Sequence, residues 1–204
     1  MILADNPYRE LRFAGQQESV EEFNNSDHVL HINTFTKTLG PGLRLGWTVA
    51  PERLSRDLVA LRSRQDSHSS TLVQAIIGEL VTSDPGIFDA TLDKARACTR
   101  TGPKRLSARC IVRRQGAFDT VLPDGGLFLW PKLADSSVNP DQLAADASAE
   151  GVEYQRGGSF FPPSGPGTDA DRHLRLAYGD VPAAKLEEAA ARLGGGRCKG
   201  SRAR

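Results

Sequence analysis

The segment TFTKTLGPGLRLGW at positions 34–47 constrains the fold of this chain more than any other stretch. An apolar run at 28–33 precedes it, a Pro-Gly turn divides it, and Arg44 opens a second apolar run at 44–50. These patterns predict two strands, with Lys37 in the connection between them. A lysine that directly follows an apolar strand is held near the protein interior. Desolvation there lowers the pKa of the amine and makes its neutral form available as a nucleophile.

The position of Arg44, shortly after Lys37, adds a second chemical requirement. Its planar, permanently charged guanidinium can bind a phosphate that the hydroxyls of Thr34 and Thr36 also reach. An aldehyde cofactor that carries a phosphate, pyridoxal 5'-phosphate (PLP), satisfies both the amine and the phosphate requirement. The alternative is that a lysine in a threonine-rich loop is a solvated surface residue.

The longer string resembles the cofactor-lysine segment of the fold-type I PLP enzymes, the class I/II aminotransferases. The resemblance is closest to the branch of the 2-aminoadipate aminotransferases and the aminotransferase-like domains of MocR-type regulators. In that family two hydroxyl residues precede the lysine that binds PLP covalently, and an arginine after a Pro-Gly-Leu turn binds the phosphate. The resemblance therefore implies cofactor contacts for Thr34, Thr36 and Arg44. It implies that Lys37 is the catalytic residue and also holds the cofactor.

The segment ADNPYRELRF at 4–13 supports the same resemblance independently. A short apolar stretch ends at Asp5, and Pro7 keeps Asn6 out of the helical region, so the chain turns where a strand ends. Open α/β sheets bind ligands at that end of their strands. In the resembled family the acid at this spacing pairs with the protonated pyridine nitrogen, and the tyrosine bonds the phenolic oxygen of the ring. The resemblance implies those roles for Asp5 and Tyr8. Taken by itself, DNPY is a common turn sequence with an exposed aspartate.

The segment HLRLAYG at 173–179 predicts a strand with two different faces. Alternation puts Leu174 and Leu176 on one face and Arg175 on the other. A guanidinium in that place can bind a substrate carboxylate through two parallel hydrogen bonds, and the resemblance implies that role for Arg175. The alternative is an ordinary strand arginine that faces water. The preceding GGSFF segment resembles a family loop beside the active-site mouth, where Phe160 and Phe161 either line the cleft or pack under the loop.

The remaining patterns alternate between strands and helices, as in an α/β protein. Strands are predicted at 1–4, 28–33, 44–50, 127–130 and 173–178, and helical spacing is clearest at 72–80 and 186–193. The fold class implied by the resemblance is α/β, the PLP-dependent transferase fold type I. It comprises a partial large domain with a mixed, mostly parallel sheet and a C-terminal α+β small domain.

The implied fold divides the chain into three segments. Residues 1–84 are expected to form the C-terminal part of the PLP-binding large domain, 85–193 the small domain, and 194–204 a disordered basic tail. The Gly102-Pro103 pair is expected to break or kink a long helix that the family has in this region.

Composition limits the other classes of function. Without the four positive charges of the tail, the net charge of +1 becomes −3, so no overall basic footprint for nucleic acid is present. We expect no membrane span and a cytoplasmic location, since no long apolar run or basic leader is present. The four histidines lack metal-ligand spacing, so no metal is expected. Three cysteines, spaced for neither zinc nor a disulfide framework, are expected to be free thiols.

The resemblance also implies which parts of the family's fold lie outside this sequence. It begins in the middle of the family's large domain, so the loop that cups the phosphate, the residue that stacks on the ring and several strands are expected to lie outside this sequence. Exposed sheet edges and an exposed hydrophobic face should result. The resemblance implies amino acids and 2-oxo acids as substrates and a homodimer for the full-length protein. Three alternatives remain open: an aminotransferase part, an effector-sensing domain of a MocR-type regulator, and an inactive remnant.

Overall fold

The computed structural model describes residues 1–16, 26–104, 117–162, 169–179 and 181–195. The chain divides into two compact units, Met1–Ala97 and Cys98–Arg204. No helix in the described ranges is both long enough and apolar enough to cross a membrane. Cys98 is an exposed free thiol. The other two cysteines and the predicted tail from 196 onward lie outside the described residues.

A mixed three-stranded sheet forms the centre of the first unit. Its strands are β1 (Ile2–Asp5), β2 (Val29–Thr34) and β3 (Gly46–Val49), in the order β1-β2-β3. β1 and β2 are parallel, with Asp5 opposite Ile32, whereas β2 and β3 are antiparallel. The predicted mixed sheet is confirmed, and its described part contains one parallel and one antiparallel pairing.

Among the described residues, β1 lies at the edge of this sheet, and its first two side chains are exposed on opposite faces. Successive strand residues point to opposite faces, and Ile2 and Leu3 are 61% and 66% exposed. Strands in parallel pairings are normally buried on both faces. The expected exposed edge and exposed apolar surface are therefore present in the structure.

Three helices follow the sheet: α1 (Glu52–Gln65), α2 (Thr71–Thr82) and α3 (Pro85–Arg100). The hydroxyl of Ser70 accepts a hydrogen bond from the Val73 N–H and caps the start of α2. Among the described side chains, none of α1 is buried, and Ile77 is the one buried residue of α2. α3 ends shortly before Gly102-Pro103, in agreement with the predicted break.

The described residues of the second unit form two small antiparallel sheets and two helices, and residues 102–104 are also helical. β4 (Phe118–Asp119) pairs with β6 (Lys132–Leu133), and the other sheet has the order β5 (Phe128–Leu129), β8 (Leu174–Ala177), β7 (Gln155–Arg156). The helices are α4 (Pro140–Ala149) and α5 (Ala183–Gly195). Leucines of β5, β6, β8 and α4 share one buried cluster with residues of α5, in which Ala190 is fully buried. This cluster is the hydrophobic core of the unit.

The predicted strands and helices all occur, with one correction at the third strand. Strand β3 begins at Gly46, whereas the sequence pattern predicts a strand from residue 44. Arg44 adopts a left-handed backbone conformation and ends a 3-10 helix, Pro41–Leu43, so it cannot start the strand. Two helices, α1 and α4, and the two-residue strands β4, β6 and β7 were not predicted.

Candidate active site

Because β1 and β2 are parallel, their carboxyl ends lie at the same end of the sheet. The N–H of Asn6 donates to the carbonyl oxygen of Ile32 at 3.1 Å, so the chain after β1 lies beside the end of β2. Asp5 is the last residue of β1 and is exposed, and Thr34 is the last residue of β2. The segments that carry Asp5 and Lys37 therefore leave the sheet at the same edge.

Thr34 shapes the connection that carries the lysine. Its hydroxyl accepts a hydrogen bond from the Thr36 N–H at 3.1 Å and caps a 3-10 helix, Phe35–Lys37. The same hydroxyl donates to the carbonyl oxygen of Leu45 at 3.0 Å and lies 2.9 Å from the Thr36 hydroxyl. The two hydroxyls therefore lie within hydrogen-bond distance of each other, and the Thr34 hydroxyl gives its proton to a backbone carbonyl oxygen.

Lys37 lies next to Tyr8. The Lys37 Nζ is 5.6 Å from the centroid of the Tyr8 ring, and both residues are partly buried. This distance lies within the range of a cation–π contact. The structure therefore brings together two residues that are distant in sequence and that the sequence patterns selected separately.

Arg44 follows the lysine connection shortly after Lys37 in sequence, and its side chain is exposed. Its backbone has φ 49° and ψ 39°, a conformation that is costly for a non-glycine residue and is concentrated at functional sites. Among the described residues, its single hydrogen bond is a long one, 3.5 Å from Nη1 to the carbonyl oxygen of Pro41. This guanidinium retains most of its donors for a ligand.

A buried amide that the sequence analysis missed holds the end of β2. Asn33 is 4% exposed, and its Oδ1 accepts the N–H of Thr34 at 2.6 Å. Its Nδ2 donates to Glu10 at 3.2 Å, and Glu10 forms an ion pair with Arg9. These bonds fix the backbone just before the 3-10 helix of Lys37. The signal in the sequence was an amide inside an apolar strand, because a buried amide needs partners.

Arg175 lies in the second unit, on the face of β8 opposite the core. Leu174 and Leu176 are buried, as the alternation predicts, whereas Arg175 is partly exposed. Its guanidinium carbon lies 3.5 Å from the centroid of the Phe128 ring, and Nη1 donates to Oε1 of Gln155. Within the described part of the chain, no acidic side chain forms an ion pair with Arg175.

The groups of the first unit have the donor and acceptor chemistry that PLP requires. An amine can bind the aldehyde, a guanidinium and hydroxyls the phosphate, a carboxylate the pyridine nitrogen, and a phenol the ring oxygen. The structure brings Lys37, Tyr8, Thr34 and Thr36 together at one edge of the sheet, with Asp5 at the end of β1. The described residues contain no group of histidine, cysteine and acidic side chains that could hold a metal ion.

Comparison with known proteins identifies the family of this chain. The model of the family "Aminotransferase class I and II" matches residues 1–193. An aromatic-amino-acid aminotransferase of Thermococcus litoralis is 27% identical over 194 residues, which are 95% of this chain and 45% of that protein. A transcriptional regulator of the HTH type from Bacillus subtilis, YdfD, is also 27% identical, over 95% of this chain and 38% of its own length.

The solved structures agree in fold. The crystal structure of the α-aminoadipate aminotransferase LysN of Thermus thermophilus, in complex with N-(5'-phosphopyridoxyl)-L-leucine, superimposes with a TM-score of 0.81 at 26% identity. The superposition covers 95% of this chain and 49% of LysN. The fold-type I prediction is confirmed. The chain spans less than half the length of these relatives.

Proposed function

The chain belongs to the class I and II aminotransferases, and we propose that it carries the lysine and arginines of a PLP-dependent enzyme that exchanges amino groups between amino acids and 2-oxo acids. The observation that carries the proposal is the contact of Lys37 with Tyr8 where the parallel strands end. We propose that the chain corresponds to the C-terminal portion of such an enzyme. The division at 84/85 and 193/194, the cytoplasmic location and a homodimeric full-length protein also belong to this proposal and rest on the resemblance.

Each residue of the first unit has a separate task in this proposal. Lys37 would hold the cofactor through its amine, and the same amine would act as the general base for the proton of the substrate's α-carbon. The Arg44 guanidinium and the Thr36 hydroxyl would donate to the phosphate. The Thr34 hydroxyl donates to the carbonyl oxygen of Leu45 and caps the turn that carries Lys37, so it would have to give up that bond in order to donate to the phosphate as well. Asp5 keeps the pyridine nitrogen protonated, and Tyr8 bonds the phenolic oxygen.

Arg175 binds the carboxylate that amino acids and 2-oxo acids share. PLP, when bound, supplies an electron sink for the negative charge at the α-carbon. The Arg175 guanidinium can bind a carboxylate through two parallel bonds, because no acidic side chain among the described residues occupies it. This residue should affect substrate binding and leave cofactor binding almost unchanged.

The second candidate function is effector sensing by the same cofactor site. It is favoured by regulator relatives that match this region as well as the enzymes do: YdfD at 27% identity and TauR of Rhodobacter capsulatus at 28%. In that case the described residues would bind PLP and an amino-group compound without turnover.

The test joins this chain to the N-terminal half of the Thermus enzyme and measures transamination. We expect turnover, and Arg175→Ala should lower kcat/KM by roughly a hundredfold, mainly through KM, because it removes a bidentate charged pair. The matched control Arg53→Ala, an exposed arginine of α1 that bonds a backbone carbonyl, should change neither constant. A joined protein that binds PLP and amino acids without turnover would favour sensing, and failure to bind PLP would contradict both functions.

A further inference from the structure

Two short 3-10 helices carry the amine and the phenol of the candidate site. Tyr8 directly precedes the helix Arg9–Leu11, and Lys37 is the last residue of the helix Phe35–Lys37. The Leu11 N–H donates to the carbonyl oxygen of Tyr8 at 2.9 Å, and the Leu11 side chain is 1% exposed. The turn that carries Tyr8 is therefore anchored in the interior of the first unit.

A side-chain hydrogen bond joins these two helices. Glu10 lies in the middle of the first helix, and Asn33 directly precedes Thr34, which caps the second. The Asn33 Nδ2 donates to Oε2 of Glu10 at 3.2 Å, across 23 positions of the sequence. This bond connects the segment that carries Tyr8 to the segment that carries Lys37.

Glu10 is itself held from two further directions. Its Oε1 pairs with the Arg9 Nη1 at 3.2 Å, and its carbonyl oxygen accepts from the Arg96 Nε of α3 at 2.8 Å. Arg96 also pairs with Asp93, three residues earlier in the same helix, at 3.1 Å. Hydrogen bonds with an ionised partner are stronger than neutral ones. Glu10 is therefore a fixed acceptor for the amide of Asn33.

The bond between Asn33 and Glu10 depends on which partner donates. The Asn33 Oδ1 already accepts the Thr34 N–H at 2.6 Å, and a carboxylate only accepts, so the amide nitrogen is the donor to Glu10. Asn33 is 4% exposed, and removal of the Glu10 carboxylate would leave its Nδ2 without this acceptor in a buried place. A carboxylate at position 33 would instead repel that of Glu10.

We propose that Glu10 and Asn33 are positioning residues, whose bond sets the separation between the Lys37 amine and the Tyr8 ring. The proposal rests on the proposed function, in which Lys37 holds the aldehyde and Tyr8 bonds the ring oxygen of one rigid cofactor. A rigid ligand binds most tightly to groups that are already held at the matching separation. The bond thus increases the affinity for PLP without contacting PLP.

The first measurement is made by NMR on the full 204-residue chain without PLP. It follows the ε-protons of Lys37, whose signal is identified by its loss in Lys37→Arg. Because the Lys37 Nζ lies over the Tyr8 ring, these protons should be shielded relative to those of the exposed Lys94, and Tyr8→Leu should remove the difference. This shielding reports the separation of the two groups directly.

The single variants test whether the bond maintains that separation. Glu10→Ala and Asn33→Asp should remove most of the shielding of the Lys37 ε-protons. Glu10→Gln keeps an oxygen that accepts from Asn33 and should retain the shielding, although it loses the charge that pairs with Arg9. The matched control Glu79→Gln, at an exposed position of α2, should change nothing.

The double variant Asn33→Asp with Glu10→Gln reverses the direction of the bond, because the amide is then at position 10 and the carboxylate at position 33. It should restore the shielding. The visible absorbance band of attached PLP gives the second readout: affinity should fall about tenfold in Asn33→Asp and return to within about twofold of the native value in the double variant. The Tm of each chain shows whether it is folded.

Two results would overturn the positioning role: native shielding of the Lys37 ε-protons in folded Glu10→Ala, or a double variant no closer to the native chain than Asn33→Asp alone. PLP that attaches equally well to the native chain and to every variant would keep the proposed function and remove the positioning role from it. Absence of PLP attachment in the native chain would contradict the proposed function, whereas the shielding measured without PLP still tests the bond.

Discussion

The two units differ in what holds their structure together. In the second unit, leucines of five elements share one buried cluster, and Leu129, Leu133 and Leu174 are each 1% exposed. In the described part of the first unit few apolar side chains are buried, and the end of β2 is fixed by hydrogen bonds of Asn33 and Thr34. The described part of the second unit therefore has one shared hydrophobic core, whereas hydrogen bonds hold the backbone beside the candidate cofactor residues of the first unit.

The largest expected contrast is between two leucine truncations. Leu129→Ala removes a fully buried side chain from the core and should lower the free energy of unfolding of the second unit by about 3 kcal/mol. The matched variant Leu58→Ala, in α1, removes a side chain that is 37% exposed and should cost less than about 0.5 kcal/mol. Denaturant unfolding of both variants measures the difference. Equal losses would show that α1 is packed as tightly as the core.

Replacing one glycine in each unit by alanine should change the stability in opposite directions. Gly157→Ala forces a Cβ against two backbone-anchored groups and should cost about 2 kcal/mol. Gly78→Ala, in α2, meets nothing within 4 Å and should stabilise the helix by about 0.5–1 kcal/mol, because alanine has the better helix propensity. Thermal unfolding measures both changes, with a lower Tm expected for Gly157→Ala and a higher Tm for Gly78→Ala. A neutral Gly157→Ala would mean that the loop carrying Phe160 is not held in place by its backbone.

A smaller effect is expected at high pH in the second unit. Burial raises the pKa of Tyr178 to about 12, and its hydroxyl donates to the carbonyl oxygen of Gly125 at 3.1 Å. The folded state holds this proton more tightly than the unfolded state. Its contribution to stability is thus fully present below pH 10 and is lost as pH rises toward 12.

At pH 11 the loss should be on the order of 1 kcal/mol relative to pH 9. Unfolding titrations of the native chain and of Tyr178→Phe measure it, and the variant should lose less stability over the same interval. If the free energy of unfolding fell equally with pH in both chains, Tyr178 would not be the cause of the loss.

The sequence predicted the parts of the molecule that local patterns determine. Alternation of Leu174, Arg175 and Leu176 determines which side of β8 is buried. The apolar run at 28–33 predicted β2, which spans Val29–Thr34. The two-residue strands could not be predicted, because β4 and β6 are defined only by their pairing across a distance in sequence. α1 was not predicted although Leu54, Leu58 and Leu61 recur at helical spacing, and none of its described side chains is buried.

The same distinction applies to the candidate site. The motifs around Asp5 and Lys37 were readable, because each is a short string with its own chemistry. The bond of Asn33 to Glu10 and the packing of Trp130 against Phe160 join residues that are distant in sequence, so neither follows from local sequence. The left-handed backbone of Arg44 was also unpredicted, since glycine is the residue that usually marks such a conformation.

The most direct test of the central claim is where PLP attaches. The full chain is mixed with PLP, reduced with borohydride, digested and mapped, with Lys94, an exposed lysine of α3, as the control within the same chain. The proposed site predicts a pyridoxyl group on the Lys37 peptide at low occupancy, little on Lys94, and loss of the visible absorbance band in Lys37→Arg but not in Lys94→Arg. Labelling spread over exposed lysines, with Lys37 unmodified, would contradict the assignment.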